Sequence, residues 1–565
     1  MVHHGADQPV AGVASVGKKH RGKPARAARR DTRSSHCKGS KRERAAVAKA
    51  SKGKRAGPLP KTPKGDGAAP AASRGHARSR RPMLRGISEI RAFLRTNRTP
   101  IHFISPTPFN LLGIDRWVRD FFYVSYYDCF EGSHPRVFVP HERPWRQFAS
   151  IEEINDYLLG HKEVRDFVRS KGDRGLAVFV MFDEEAERLA PELGLRIAHP
   201  PAALRKHIDS KTVTTRLAAE AGVPSVPNAL ARIGSYAELV ATAERAGLGD
   251  DLVVQTPYGD SGRTTFFIHG ERDWGKAAKA VVAEDEVKVM RRVNVRAGAI
   301  EATITRHGTI VGPLMTDLTG YKELTPYKGG WCGNDMWPGV LSEKHRRKSR
   351  KLVQRLGDRL AQEGYVGFFE VDVLADIDTD ELYLGEINPR VSGASSMTNV
   401  TAGAYADLPL FAFHLLEYLD VDYDVDVDEI NQRWSQAETI DVWSQLIIKE
   451  PNAGVELLTA APRTGIWRAE ADGSIRFGRW GNDWHSIIDE TEAFFLRVLP
   501  PGDYRYKGAD LGVLVSRQRM QTDDLTLTPA CRRWIAGIRA QYAGVPVEPA
   551  EAAQAKRDPF AFKFA

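Results

Sequence analysis

Two runs of alternating apolar and polar residues, 366–375 and 382–388, stand on either side of a short polar stretch, 376–381. The pattern predicts a β-hairpin whose turn centres near Asp378. Residue 370 then opposes 386, and residue 372 opposes 384. Side chains alternate between the two faces of a strand, so even-numbered positions share one face and odd-numbered positions the other. The polar face carries Glu370, Asp372, Glu386, Asn388 and Arg390, and the core face carries Phe369, Val371, Val373, Tyr383 and Ile387.

The polar face of this hairpin sets two glutamates opposite each other. Like charges that face each other across a sheet repel, because their Cβ atoms lie only about 5 Å apart. A cation between Glu370 and Glu386 removes that cost, and oxygen-only ligands favour Mg²⁺ or Mn²⁺ at a nucleotide's phosphates over zinc. The alternative is a solvated outer face, which the extension of the polar line through Asn388 and Arg390 disfavours.

Apolar runs elsewhere in the chain predict what flanks the hairpin. Four runs between residues 101 and 198 alternate with helical stretches, which indicates a small parallel α/β unit. A helix is expected over 209–221, and a strand, a glycine-bearing loop and a second strand over 252–268. Beyond residue 430, short strands, turns and tryptophans indicate a β-rich domain with flanking helices.

Charge is unevenly distributed along the 565 residues. The first 85 residues hold 23 Lys and Arg against 4 Asp and Glu, so this stretch carries +19 while the rest of the chain carries −10. A segment so poor in apolar residues is expected to be disordered. It is interpreted as a solvated tail, with non-specific binding to nucleic acid as the alternative.

Features typical of membrane and secreted proteins are missing from the sequence. It has no apolar run of 18 residues and no recognisable signal peptide, and its four cysteines are scattered without metal-site spacing. These features indicate a cytoplasmic protein with reduced thiols and no membrane association.

The spacing of Glu370 from the Glu386-x-Asn388-Pro389-Arg390 motif resembles the metal-binding core of ATP-grasp enzymes. Within that superfamily the motif is most similar to the carbamoyl-phosphate synthetase and biotin carboxylase branch. The resemblance implies that ATP is a substrate and that Glu370, Glu386 and Asn388 bind Mg²⁺ (or Mn²⁺). It also implies that Arg390 faces the transferred phosphoryl group and that Lys211, on the helix over 209–221, reaches a phosphate.

The resemblance further implies a set of nucleotide contacts. The loop after Gln255 is similar to the flap that ATP-grasp enzymes fold over the triphosphate, although the family usually has lysine at position 255. Backbone groups after Met290 are expected to read adenine, in a place where the family often has glutamate, and Glu301 is a candidate for a ribose or metal-water contact. The implied nucleotide-binding residues are Lys211, Gln255, Gly259, Asp260, Ser261, Gly262, Arg263, Met290, Arg291, Val293 and Glu301.

The stretch 317–335 is rich in glycine and aromatic residues and lacks periodicity, which is typical of a functional loop. Its lysines, Lys322 and Lys328, are hypothesised to bind the acceptor or a substrate carboxylate. Ala394 stands four residues beyond Arg390, where biotin carboxylases have a catalytic glutamate, and the chain has no biotinyl-lysine motif. A carboxylate–amine ligase, with serines of the turn after Arg390 helping to bind substrate, therefore fits better than a biotin carboxylase.

The sequence as a whole predicts an α/β (α+β) protein with the ATP-grasp fold. The expected domains are a basic tail (1–85), a preceding α/β domain (86–199), the ATP-grasp domain (200–420) and a β-rich C-terminal domain (421–565). The expected activity joins small-molecule carboxylate and amine substrates with Mg-ATP, in a monomer or a homodimer. The alternatives are carboxylation with bicarbonate and a non-catalytic nucleotide-binding protein with a polyanion-binding tail.

Overall fold

The computed structural model describes residues 83–141, 148, 150–259, 264–327, 329–405, 408–437 and 442–548. All of them belong to one compact unit, Arg78–Ala565. The predicted basic tail lies outside the described residues as far as position 82. No helix within these ranges combines the length and apolar character needed to cross a bilayer.

The predicted parallel α/β unit is confirmed. Its strands pair in the order β4-β3-β2-β5-β6, all parallel, and helices cover the sheet. The first strand, β1, lies outside this sheet and pairs with residues 422–424, so the end of the predicted tail is part of the folded unit. The elements are β1 (Met83–Arg85), α1 (Gly86–Thr96), β2 (Ile101–Ser105), β3 (Phe121–Ser125), β4 (Val137–Phe138), α2 (Ile151–Gly160), α3 (Lys162–Lys171), β5 (Gly175–Phe179), α4 (Glu184–Leu189) and β6 (Leu195–Ile197).

A four-stranded antiparallel sheet follows, in the order β7-β10-β8-β9. Two helices, α7 and α8, cover one face, where Val254, Val287 and Val289 pack against Leu239 and Trp274. Because strand side chains alternate, the opposite face of the sheet remains available. The elements are α5 (Ala202–Asp209), α6 (Lys211–Glu220), β7 (Asn228–Ala231), α7 (Tyr236–Arg245), β8 (Leu252–Gln255), β9 (Thr265–Ile268), α8 (Glu271–Val282) and β10 (Val287–Arg291).

The centre of the unit is a ten-stranded sheet whose first five strands run in the order β15-β14-β11-β12-β13. Helix α9 packs on one face through Leu352, Val353, Leu356 and Leu360. The opposite face looks toward the four-stranded sheet. The elements are β11 (Val295–Thr305), β12 (Gly308–Thr319), β13 (Trp331–Met336), α9 (Glu343–Gln362), β14 (Gly367–Asp376), β15 (Leu382–Asn388), α10 (Ser395–Tyr405), α11 (Leu410–Tyr418), β16 (Asp422–Asp424) and α12 (Val427–Ala437).

The ten-stranded sheet crosses the expected domain boundary at residue 420. Strand β13 pairs with β17 from Gly333↔Leu446 to Met336↔Trp443, and β23, β21, β19 and β20 extend the same sheet. The C-terminal region is β-rich, as predicted, but it continues the central sheet. Its elements are β17 (Trp443–Lys449), β18 (Glu456–Ala460), β19 (Gly465–Ala469), β20 (Ile475–Arg479), β21 (Glu492–Arg497), β22 (Tyr504–Arg505), β23 (Asp510–Ser516), α13 (Pro529–Arg539) and β24 (Ala543–Pro546).

Candidate active site

A cleft of about 570 Å³ lies between the four-stranded sheet and the ten-stranded sheet. Small side chains form part of its floor. Ala299 on β11 pairs with Asp372 on β14 and with Met315 on β12, and Ala297 pairs with Leu374. Two alanines in the middle of a sheet leave space above them that larger residues would fill. Eight of the predicted site residues line the cleft: Lys211, Gln255, Gly259, Met290, Glu370, Glu386, Asn388 and Arg390.

The predicted hairpin exists as β14 and β15, but its predicted register is wrong. Glu370 opposes Asn388, not Glu386, and Val373 opposes Leu384. A β-bulge causes the shift, because Gly385 and Glu386 together face the single residue Asp372. A Cβ atom at Gly385 would lie 3.2 Å from the Asp372 Cβ, so the bulge has little room for a larger residue.

The bulge also changes which β15 side chains face the core. Leu382 and Leu384 pack beneath the sheet with Ile387, whereas Tyr383, predicted on the core face, packs near Met290 and Leu374 on the cleft side. The extra residue shifts the alternation by one position. The predicted faces therefore hold for β14 but fail for the half of β15 that follows the turn, residues 382–384.

The carboxylates of the hairpin lie close together, and their negative charges repel one another. Burial raises the pKa of Glu370 to about 8, although Arg390 acts to lower it. Burial, Glu370 and Glu386 together raise the pKa of Asp372 well above its usual range. The Asn388 Nδ2 donates to Glu370 Oε2 at 2.5 Å, which fixes the relative position of these two side chains.

These side chains fit a hard cation by their chemistry. Glu370, Glu386 and Asn388 present oxygen atoms, the ligands that Mg²⁺ prefers, and a cation would stabilise the charged carboxylates that burial and mutual repulsion disfavour. No group of three or more His, Cys, Asp or Glu side chains in the described ranges is arranged to hold a metal by itself. The donor set therefore has two carboxylates and an amide, and it relies on other ligands such as phosphate oxygens for completion.

Lys211 connects the hairpin to the loop after β8. Its Nζ lies 3.1 Å from Glu386 Oε2 and donates to the Gly259 carbonyl oxygen at 3.0 Å. The backbone N–H of Lys211 also donates to the Pro257 carbonyl oxygen, so the first residue of α6 is attached to this loop. The ammonium of Lys211 is thus held at the start of the glycine-bearing loop.

A second lysine, Lys288, was not singled out from the sequence. It pairs directly with Gln255 across β10 and β8, and its residue is 2% exposed. Burial lowers the pKa of its ammonium to about 8; Glu386 acts to raise this pKa and Lys211 to lower it. Alternation along Val287-Lys288-Val289-Met290 was the available signal, because it places the lysine on the same face as Met290.

Two other predicted contacts are placed differently. Glu301 is 0% exposed and does not line the cleft, because the turn after Arg390 covers it. It accepts hydrogen bonds from Ser395 Oγ at 2.5 Å and Ser392 Oγ at 3.1 Å, and burial raises its pKa to about 7. A direct contact between the Glu301 side chain and ribose is therefore not supported. Arg291 and Val293 are half-buried and their side chains do not line the cleft, so backbone recognition of adenine stays a prediction.

The flap residues Asp260, Ser261, Gly262 and Arg263, like Lys328, lie outside the described residues. Lys322 is exposed and does not line the cleft, so the structure gives no support to its predicted substrate contact. The stretch 317–335 does reach the cleft, through Asp317, Thr319, Gly329, Trp331 and Asn334.

A row of hydrogen-bonded polar side chains, here called the Asp317 ladder, connects the C-terminal region to the cleft. Asp317, Asn334 and Gln445 are consecutive cross-strand neighbours on β12, β13 and β17. Gln445 Nε2 donates to Asn334 Oδ1 at 2.7 Å, and Asn334 Nδ2 donates to Asp317 Oδ1 at 2.7 Å. Gln445 also donates to the Gly393 carbonyl oxygen at 2.8 Å and accepts from Ser396 Oγ. Of the serines expected to help bind substrate, Ser392 lines the cleft, whereas Ser395 and Ser396 are buried and donate to Glu301 and Gln445.

Neither protein-family models nor curated proteins match the sequence. Solved structures do match. The biotin carboxylase of Campylobacter jejuni aligns with a TM-score of 0.51 at 12% identity, over 79% of this chain and 92% of its own. The biotin carboxylase domain of the Hydrogenobacter thermophilus 2-oxoglutarate carboxylase was solved with MgADP and bicarbonate. It aligns with a TM-score of 0.50 at 13% identity, over 81% of this chain and 95% of its own.

Pyruvate carboxylase of Rhizobium etli gives a TM-score of 0.51 at 15% identity, over 79% of this chain and 40% of its own. At these identities the likeness concerns the fold. The order of elements, the two sheets and the cleft between them agree with this likeness, and the chain has the ATP-grasp fold.

Proposed function

We propose that this chain is a Mg-ATP-dependent ligase. It phosphorylates a substrate carboxylate with ATP and transfers the resulting acyl group to an amine, releasing ADP and phosphate. The observation that carries the proposal is a single cleft lined by two sets of polar residues. Lys211, Glu370, Glu386 and Arg390 form its cationic end, and the Asp317 ladder forms the other end, near enough for the Asp317 charge to act on Glu370.

The cationic end is suited to a triphosphate. Lys211, held between Gly259 and Glu386, can turn its ammonium to a phosphate without leaving the loop that presents it. Arg390 is 5% exposed and lines the cleft, so its guanidinium acts where water is largely excluded. Charge stabilisation in such a site is worth more than in water, which suits the charge that develops during phosphoryl transfer.

The metal of the proposed reaction would be held by Glu370, Glu386 and Asn388. When bound, Mg²⁺ supplies charge neutralisation and alignment of the β- and γ-phosphates. The chain itself positions these ligands: the bulge at Gly385 brings Glu386 beside Asp372, and the Asn388 amide orients Glu370.

The other end of the cleft offers a place for the amine. Asp317 accepts a hydrogen bond from the Asn334 amide, and Trp331 lines the same cleft. Burial and the charges of Asp372 and Glu386 raise the pKa of Asp317 well above its usual range. A carboxylate hydrogen-bonds an amine and holds its nitrogen in position for attack on the acyl carbon. Positioning of two reactants within one cleft is a large source of rate enhancement in ligases of this kind.

The test is ADP release by purified protein with Mg-ATP, measured with pooled amines and small carboxylates and, separately, with bicarbonate plus free biotin. We expect stimulation by the acid and amine pool, and an amide product by mass spectrometry. Absence of adenine-nucleotide binding would contradict any ATP-dependent function and would count equally against a non-catalytic protein that binds adenine nucleotides.

Carboxylation with bicarbonate is the second candidate, since two of the similar solved structures are biotin carboxylases. Ala394 lines the cleft after Arg390, at the place where the sequence resemblance led us to expect a catalytic glutamate. A methyl group there cannot act as a base. Stimulation only by bicarbonate and biotin would favour this candidate and require another residue as the base.

A further inference from the structure

Lys288 is a buried lysine on the cleft side of the four-stranded sheet. It pairs with Leu230 on β7 and with Gln255 on β8, in the middle of the sheet. Val287 and Val289, on either side of it, pack under the helices. The Lys288 side chain therefore projects from the opposite face, which it shares with Gln255 and Met290 of the cleft lining.

No carboxylate satisfies this ammonium. The charged groups that act on it are Glu386 and Lys211, and Glu386 is already paired with Lys211 at 3.1 Å. Within the described ranges, no ion pair or hydrogen bond of Lys288 Nζ is formed. The one carboxylate that acts on Lys288 is thus already engaged by Lys211, and the Lys288 ammonium keeps its charge without an ion pair of its own among the described residues.

The neighbour across the strand does not compensate either. Gln255 Nε2 donates to Thr265 Oγ1 at 3.2 Å, so the amide is directed along β8 and β9. Burial of an ammonium without a partner is costly, and an apolar side chain would serve a purely structural position better. An anionic group of a bound ligand would compensate the charge of the Lys288 ammonium.

We infer that the Lys288 ammonium binds a phosphate group of the nucleotide, as a second cation beside Lys211. The inference rests on the proposed function, since it takes the ligand to be a nucleoside di- or triphosphate. Lysines on two separate elements, α6 and β10, then approach the phosphates from two sides. The proposal assigns Lys288 to phosphate binding and gives it no contact with adenine or ribose.

The experiment compares Lys288→Met with the wild type by calorimetric titration of ADP, ATP and adenosine. Methionine has a similar length and no charge. We expect the Kd of ADP and ATP to rise about 10- to 100-fold, the loss typical of a charge-assisted hydrogen bond, and the Kd of adenosine to stay unchanged. The matched control is Lys279→Met, on the exposed face of α8, which should bind all three ligands as the wild type does.

Two results would overturn the inference alone: wild-type affinity of Lys288→Met for ADP, or equal weakening of ADP and adenosine, which is the mark of a merely structural role. A wild-type protein that binds no adenine nucleotide would instead overturn the proposed function, and the inference with it. If Lys288→Met does not fold, a crystal structure of the wild type with ADP decides. Lys288 Nζ should then lie within hydrogen-bond distance of a phosphate oxygen, and a larger separation contradicts the inference.

Discussion

Two buried polar regions of this protein are built in opposite ways. At the junction of the parallel sheet with α11, His414 Nε2 donates to the Ala198 carbonyl oxygen at 2.7 Å, and the Phe368 N–H donates to His414 Nδ1 at 3.0 Å. The neighbouring His199 accepts from the Phe179 N–H at 3.0 Å. In and beside the cleft, by contrast, Glu370 and Asp372 repel each other, and Lys288 forms no ion pair with any of the described residues.

The difference separates polar groups that hold the fold from those that are arranged for a ligand. Each nitrogen of His414 is satisfied by a fixed backbone group, so the ring contributes to stability in its neutral form. In the cleft region, the repulsion between Glu370 and Asp372 and the unpaired charge of Lys288 are relieved only when a ligand arrives, so these groups lower stability in the free protein. Such perturbed groups are typical of functional sites.

The largest effect is expected where the cleft is most charged. Glu386→Gln keeps the shape of the side chain but removes the charge that pairs with Lys211. ATP turnover should fall at least about 10³-fold, because both charge neutralisation and alignment of the phosphates are lost. Stability should change little, since the loss of the ion pair with Lys211 offsets the relief of the repulsion of Asp372.

Steady-state ADP release and urea denaturation measure these two quantities. The control is Glu381→Gln, in the turn of the same hairpin, whose carboxylate is exposed. If Glu386→Gln retains a tenth or more of the wild-type turnover, the assignment of Glu386 to the phosphate and metal end is wrong.

A smaller and more selective effect is expected at the other end of the cleft. Gln445→Met removes the donor that orients Asn334 and leaves the Asn334 and Gly393 oxygens unsatisfied. The KM of the amine should rise about 10-fold while the KM of ATP stays within about twofold, because only the Asp317 side is displaced. The free energy of unfolding should also fall, by about 1–3 kcal/mol per buried oxygen left unpaired.

Initial-rate kinetics with each substrate varied in turn gives both KM values. The control is Gln362→Met at the exposed end of α9. Equal increases in the two KM values would mean that the two ends of the cleft are not independent, and the comparison of their roles would fail.

Sequence patterns predicted the parts of this site that depend on local alternation. The hairpin, the parallel unit and the polar face that carries Glu370, Asp372 and Glu386 follow from apolar and polar positions a few residues apart. The register failed at Gly385 because alternation fixes pairing only when neither strand holds an extra residue. A glycine inside the strand pattern was the one available signal.

Long-range pairing accounts for what the sequence did not show. Asn334 and Gln445 meet because β17 pairs with β13 across an expected domain boundary, and no local pattern predicts which strands become neighbours. Lys288 likewise comes to lie beside the cleft-lining Gln255 only through the pairing of β10 with β8. The position of the Glu301 side chain depends on the turn that covers it, which lies 91 residues away.

The histidine junction gives a pH-dependent test of the comparison. Burial lowers the pKa of His414 to about 3, against 6.5 for an ordinary histidine. As pH falls below 6.5, the unfolded chain binds a proton at His414 that the folded chain does not bind. The stability present above pH 6.5 is therefore progressively lost. In His414→Asn, the Asn oxygen can accept from the Phe368 N–H, and this contribution to the pH dependence is absent.

The free energy of unfolding of the wild type should therefore fall more steeply than that of His414→Asn, by about 1.4 kcal/mol per pH unit between pH 6 and 4. Urea denaturation at pH 7, 6, 5 and 4 measures the difference. Parallel curves would show that His414 is protonated in the folded protein and would remove the contrast with the cleft.

The smallest effect is expected for Lys322→Ala. The sequence placed Lys322 in an acceptor-binding loop, but its side chain is exposed and the cleft is lined by Asp317 and Trp331 of the same stretch. An exposed lysine without a role in binding changes free energies by no more than about 0.5 kcal/mol, so both KM values should stay within about twofold of the wild type. Initial-rate kinetics decides. A tenfold rise in the KM of the carboxylate would contradict this prediction. It would mean that the turn around Lys322 moves toward the cleft when substrate binds and brings the lysine ammonium to the substrate carboxylate.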